Sequence, residues 1–111
     1  MSEIEELLLA AKAAGLEVEP CPCRDPKWPL RIKGQSGTRA HWNPSVNDGD
    51  AFKLAIGLGM QINVEGSGED EVVWADDTMI WVNSEYAQGD RLKAARTVIV
   101  SVAAQRGKQM P

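Results

Sequence analysis

Residues 47–64 read Asn47-Asp48-Gly49-Asp50-Ala51-Phe52-Lys53-Leu54-Ala55-Ile56-Gly57-Leu58-Gly59-Met60-Gln61-Ile62-Asn63-Val64, and their periodicity changes partway along. Ala51, Leu54, Ala55 and Leu58 recur at i, i+3, i+4 and i+7, which is one face of a helix, and Phe52 and Ile56 widen that face. Asp48 reads as the N-cap, and Asp50 stands in the first turn, where the helix dipole favours an anion. Gly59 ends a helix predicted over residues 48–58. Beyond it, Met60, Ile62 and Val64 alternate with Gln61, Asn63 and Glu65, the period of a half-buried strand. A helix that hands over directly to a strand sets the class as α+β.

The pattern continues toward the C-terminus. Gly66-Ser67-Gly68 reads as a turn, Val72 and Trp74 share one face of a second strand, and Asp76-Asp77 makes a tight connection. Met79 and Trp81 face one way along a third strand, with Ile80 and Val82 facing the other, which gives an antiparallel meander. A last helix is predicted over residues 91–106, capped by Asp90, with Leu92, Ala95, Ile99, Val102 and Ala103 as its apolar stripe. Arg106 and Lys108 flank a terminal Gly107, the right sign for the dipole.

Toward the N-terminus, Ser2 and Glu5 form a capping box that opens a helix over residues 3–14, with Ile4, Leu7, Leu8 and Ala11 on its apolar face and Gly15 as its stop. Leu16 and Val18 suit a short strand. Residues 20–47 are irregular, because Pro20, Pro22, Pro26 and Pro29 break any long element. Leu30 and Ile32 suit another short strand, Gly34-Gln35-Ser36-Gly37 a turn, and residues 38–42 a strand pairing back. Three helices with apolar faces need a surface to bury them, so the expected architecture is α-β-α sandwich-like, with one small antiparallel sheet of about three to five strands. The 111 residues form a single domain, with residues 1–41 less regular and residues 42–107 as its core.

Composition narrows the function. Apolar residues make up 43% and charged residues 25%, the usage of a globular chain rather than a disordered one. A net charge of −4 argues against non-specific binding to nucleic acid or an anionic membrane. No apolar run approaches the roughly 20 residues that span a bilayer. Glu3, Glu5 and Glu6 stand where a secretory signal carries basic residues, so the expectation is a cytoplasmic protein with reduced thiols.

Trp42-Asn43-Pro44, followed by Asn47-Asp48-Gly49-Asp50-Ala51 opening a helix, then a hairpin and a closing helix with Arg91, Ala94, Ala95 and Arg96, resembles small bacteriophage and prophage proteins of the phage ABA sandwich family. The resemblance covers residues 42–107, with Asn47-Asp48 where the pattern carries two aspartates. It implies a sheet with helices on its faces and a phage origin in a bacterial host cell. It implies no activity and transfers no functional residue. The Asn-Asp-Gly-Asp segment has a sufficient role as turn and helix cap.

Three constellations bear on chemistry. Cys21, Cys23 and His41 are the zinc candidates, since thiolate and imidazole are zinc ligands. With two cysteines and one histidine, a closed site needs a carboxylate such as Asp25 or a second subunit, so no metal and no cofactor is expected. The same residues lack the surroundings of a nucleophile and base pair. The acids Asp48, Asp50, Glu69, Asp70, Glu71, Asp76 and Asp77 fit capping and turn roles better than a hard-cation site.

The tryptophans are more informative. Trp74 and Trp81 sit among aliphatic residues and read as core. Trp28 and Trp42 lie in a stretch with a local basic excess from Arg24, Lys27, Arg31, Lys33 and Arg39. Tryptophan beside arginine is the composition of an interface hot spot. The leading expectation is a non-enzymatic phage accessory protein that binds a protein partner, either a host factor or its own copy, through Arg24, Lys27, Trp28, Arg31, Arg39 and Trp42. The alternatives are a small nucleic-acid-binding protein using the basic residues 24–41, and a metal-dependent enzyme.

Overall fold

The computed structural model describes residues 2–66, 71–75, 81–83 and 90–111, with the backbone alone at 38–39 and 81–83. The elements in chain order are α1 (Glu3–Ala14), β1 (Val18–Pro20), β2 (Leu30–Ile32), a 3-10 turn (Gly37–Ala40), β3 (His41–Trp42), α2 (Asp48–Gly57), β4 (Ile62–Glu65), β5 (Val72–Ala75), β6 (Trp81–Asn83) and α3 (Arg91–Gln109). The fold is α+β, as expected. Its strands divide into two antiparallel three-stranded sheets, β1-β2-β3 and β4-β5-β6, rather than one. Ser67 and Gly68 of the expected Gly66-Ser67-Gly68 turn, the Asp76-Asp77 connection, the strand residues Met79 and Ile80 and the side chain of Trp81, expected in the core, lie outside the described residues.

Helix α3 is the shared element. It packs along α1 and also meets α2, β5 and β6. Val98, Val100, Val102 and Ala103 are therefore buried almost all round the helix. Ile99, Val102 and Ala103 of the expected stripe are buried, but the buried surface is wider than one stripe, and Leu92 at its start is 59% exposed. The helix also continues through Gly107 to Gln109. Gly107 is not a stop: a Cβ there would collide with the backbone carbonyl of Leu9 on α1. Its missing side chain lets the two helices touch.

The buried faces of α1 and α2 are their alanine faces. Leu7, Ala10 and Ala11 are buried on α1, while Ile4 and Leu8 are partly exposed. Ala51, Leu54 and Ala55 are buried on α2, while Phe52 and Ile56 are 66% and 64% exposed. Close helix packing selects small side chains, so the larger apolar residues at the margins turn outward.

The ends are held by specific bonds. Ser2 and Gly15 cap α1 as expected. The cap of α2 is Asn47, whose Oδ1 accepts from Asp50 N–H at 2.8 Å, and not Asp48. Asp48 is instead in the first turn and pairs with Arg96 Nη1 of α3 at 2.6 Å. Arg96 Nε also donates to the Ser45 carbonyl, and Arg106 Nη1 donates to the Leu58 carbonyl at the end of α2. Asp90 caps α3. No helix among the described residues is long and apolar enough to cross a membrane.

Candidate functional site

The β1-β2-β3 sheet has two unlike faces. Its register aligns Pro20, Leu30 and Trp42 on one side and Glu19, Arg31 and His41 on the other. Leu30 and Trp42 point into the core. The Glu19–Arg31–His41 row carries the polar chemistry.

The β1–β2 connection, residues 21–29, bends over this sheet. Cys21 N–H donates to the Pro29 carbonyl at 3.0 Å and continues the ladder by one bond. Asp25 closes a turn: its carbonyl accepts from Trp28 N–H, and its Oδ1 accepts from Lys27 N–H at 3.0 Å. Arg24 takes a left-handed backbone with φ 62°, which reverses the chain between Cys23 and that turn. The loop is pinned to the rest of the molecule by Asn43, which is 2% exposed. Asn43 Nδ2 donates to the Lys27 carbonyl at 2.8 Å, its Oδ1 accepts from Ser45 N–H, and its own N–H donates to Asp50 Oδ2 at 2.9 Å. Asn43 was not among the sequence candidates. Its signal is its place between Trp42 and Pro44, just ahead of a capped helix.

Two hollows open here. One, of about 820 Å³, runs between the 21–29 loop, His41 and the start of α2, where Asp25, Trp28, Asn47, Asp50 and Lys53 line it. The other, of about 360 Å³, lies across Cys21, Pro22, Arg31 and Ala40. Cys23 and His41 border both. The indole of Trp28 stacks on the His41 ring with centroids 5.1 Å apart and planes 19° apart. Lys27 Nζ lies 5.6 Å from the Trp28 ring centre.

Cys21 Sγ donates to Cys23 Sγ at 2.8 Å. That hydrogen bond, ahead of desolvation, pushes the Cys21 thiol above its ordinary pKa. Burial raises the Asp50 carboxyl, while the Asn43 N–H and Lys53 pull it back down.

The expected binding residues are partly gathered and partly dispersed. Trp28 lines the larger hollow, and Lys27 lies over its ring. Arg24 is exposed at the loop turn. Arg31 is half-buried and engaged, with Nη2 donating to the Gln35 carbonyl at 2.6 Å and Nε 3.5 Å from Glu19 Oε1. The side chain of Arg39 lies outside the description. Trp42 is 3% exposed and packs in the core, apart from Trp28, where it also lines a separate hollow with Leu16, Lys53 and Leu54. Trp74, expected in the core, is half-buried on the face of β5 opposite the buried Val73 and Ala75. Among the acids, Asp48 pairs with Arg96, Glu71 pairs with Arg91, and Asp50 holds Asn43 N–H. Glu69, Asp70, Asp76 and Asp77 lie outside the described residues.

Comparison with known proteins returned nothing: no family model, no curated protein and no solved structure matches the chain.

Proposed function

We propose that this chain is a non-enzymatic phage accessory protein that acts in the bacterial cytoplasm by binding a protein partner, with Trp28 as its anchor. The supporting observation is the preorganised aromatic at the rim of an open groove. Trp28 is held by the His41 stack and by a loop that Asn43 fixes from below. An aromatic already immobilised loses little freedom on binding, and such residues carry most of the energy of an interface. The resemblance to small phage proteins, carried by Trp42-Asn43-Pro44 and Asn47–Ala51, supplies the biological setting.

The nucleic-acid alternative draws less support. Arg31 is neutralised by Glu19, and the groove around Trp28 contains Asp25 and Asp50. Carboxylates there would repel phosphates while leaving a mixed-charge protein surface acceptable.

The test is capture from nuclease-treated host lysate by the tagged full chain and by Trp28→Ala. Trp42 must be left intact, since its loss would damage the core. A stoichiometric protein retained by the wild type and released by a folded Trp28→Ala variant supports the reading. Retention that ignores Trp28, or that appears only when nucleic acid is left in and falls steeply with salt, overturns it.

A further inference from the structure

The sequence offered Cys21, Cys23 and His41 as metal candidates and gave no reason to expect them together. The fold brings them together. The Sγ atoms of Cys21 and Cys23 and a ring nitrogen of His41 all lie within 4.8 Å of one another. The cysteines come from the β1–β2 loop and the histidine from β3, so tertiary structure makes this cluster. Each contributor is held independently. Cys21 is tied by its N–H to Pro29, and Cys23 Sγ lies 3.6 Å from the Trp28 carbonyl. His41 is fixed by its pairing with Arg31 and by the Trp28 stack.

We propose that Cys21, Cys23 and His41 form a zinc site that supplies three of four ligands, with water in the fourth position. Zinc–sulfur bonds of about 2.3 Å and zinc–nitrogen bonds of about 2.0–2.1 Å place tetrahedral ligand atoms about 3.5–3.8 Å apart. The cluster lies near that spacing, its ligand atoms all within 4.8 Å of one another. The two sulfurs, 2.8 Å apart, have to separate by about 1 Å, which small side-chain rotations provide. Two thiolates and an imidazole are the donor set zinc prefers over calcium or magnesium, which take oxygen.

Asp25, the carboxylate expected to complete such a site, is turned to another task, since its Oδ1 holds Lys27 N–H. That leaves the fourth position to solvent, and the hollows on both sides of Cys23 and His41 give the ion a route in. Binding replaces two S–H bonds with two zinc–sulfur bonds, so the two thiol protons pass to solvent and no electron is transferred. Bound zinc would fasten the 21–29 loop to β3 directly beneath Trp28. The site does not depend on any partner being found.

The experiment uses the full chain, purified under reducing conditions, stripped with chelator and titrated with zinc chloride, then with cobalt chloride as the spectroscopic probe. One zinc per chain is expected, with a rise in melting temperature. Cobalt should give thiolate charge-transfer absorption and the intense visible bands of a tetrahedral ion. Cys21→Ser and Cys23→Ser should each lower zinc affinity by more than the roughly 10–100-fold that loss of an outer hydrogen-bond partner costs. His41→Cys supplies a third thiolate and should keep binding, which separates ligand loss from misfolding. No uptake by reduced wild type overturns the proposal, as does uptake that both serine variants retain. Half an equivalent per chain with dimer formation would replace the single-chain site with one shared between two copies.

Discussion

At the residue scale, Asn43 and Asp50 show how one short motif does structural work. Asn43 occupies a buried position where its amide meets the Lys27 carbonyl and Ser45 N–H, and its backbone meets Asp50. Removing a partner from a buried polar group costs about 1–3 kcal/mol, so both acids and amides in this stretch are constrained by their neighbours. Asp50 carries a measurable signature of that constraint. Burial holds its folded-state pKa above the ordinary 3.8. The folded chain therefore binds this proton more tightly than the unfolded chain does. The stability it contributes is full below the unfolded value and is lost as pH rises through the folded value. Asp50→Asn keeps an oxygen for the Asn43 N–H and removes the ionisation. Its urea midpoint should gain on the wild type between about pH 4 and about pH 7. An equal difference at both pH values would show that burial of this carboxylate has no energetic consequence.

At the scale of elements, the helices sit closer together than their sequences advertise. The apolar periodicity of α1 and α2 located the helices and the centres of their buried faces, Leu7 and Ala11 on α1 and Ala51, Leu54 and Ala55 on α2, but drew those faces too wide. Ile4, Leu8, Phe52 and Ile56, included in those faces by their spacing, lie at the margins and are exposed, while Ala10 joins the buried residues of α1. Gly107 belongs to the same logic. Placed in a helix interior, glycine costs about 1 kcal/mol relative to alanine, so Gly107→Ala would stabilise an isolated helix. Here the added methyl meets the Leu9 backbone carbonyl, which cannot rotate away. The helices must separate, and overpacking of this kind costs about 1–3 kcal/mol. Gly107→Ala should therefore lower the melting temperature although local propensity favours it. A rise would mean that the α1–α3 contact is looser than its geometry indicates.

At the scale of the whole molecule, the tryptophans divide by burial. Trp42 is part of the continuous core with Leu30, Leu54 and Val98. Trp28 rests on His41 at the rim of a groove. Trp42→Ala should cost about 3–5 kcal/mol in denaturant unfolding, whereas Trp28→Ala should cost about 1 kcal/mol, the worth of an aromatic stack. Similar losses for the two would place Trp28 in the core and remove the anchor from the proposed binding surface. The division also explains why a single basic, tryptophan-containing stretch does not act as one patch. The short β2 and β3 strands send alternate side chains to opposite faces, so neighbours in sequence such as His41 and Trp42 end in different environments.

The sequence by itself determined the α+β class, the three helices, the cap at Ser2 and the approximate places of the strands, because these follow from local rules of periodicity, capping and glycine stops, although residues 38–40 of the expected 38–42 strand form a 3-10 turn and Pro20 lies within β1. It placed the first helix at Glu3–Ala14 and the second to within a residue. Tertiary structure alone decided the rest. The described strands divide into two sheets, and α3 packs against α1, α2 and the β4-β5-β6 sheet. The margins of the helix faces, where Ile4, Leu8, Phe52 and Ile56 turn outward, are set by how closely the helices approach, which a hydrophobicity pattern does not carry. The candidate site was legible only as separate residues. Cys21 and Cys23 lie in a proline-rich loop and His41 in a later strand, and their convergence within 4.8 Å depends on strand pairing and on the buried amide of Asn43. Proximity across sequence distance is set by packing, and packing is a property of the assembled chain.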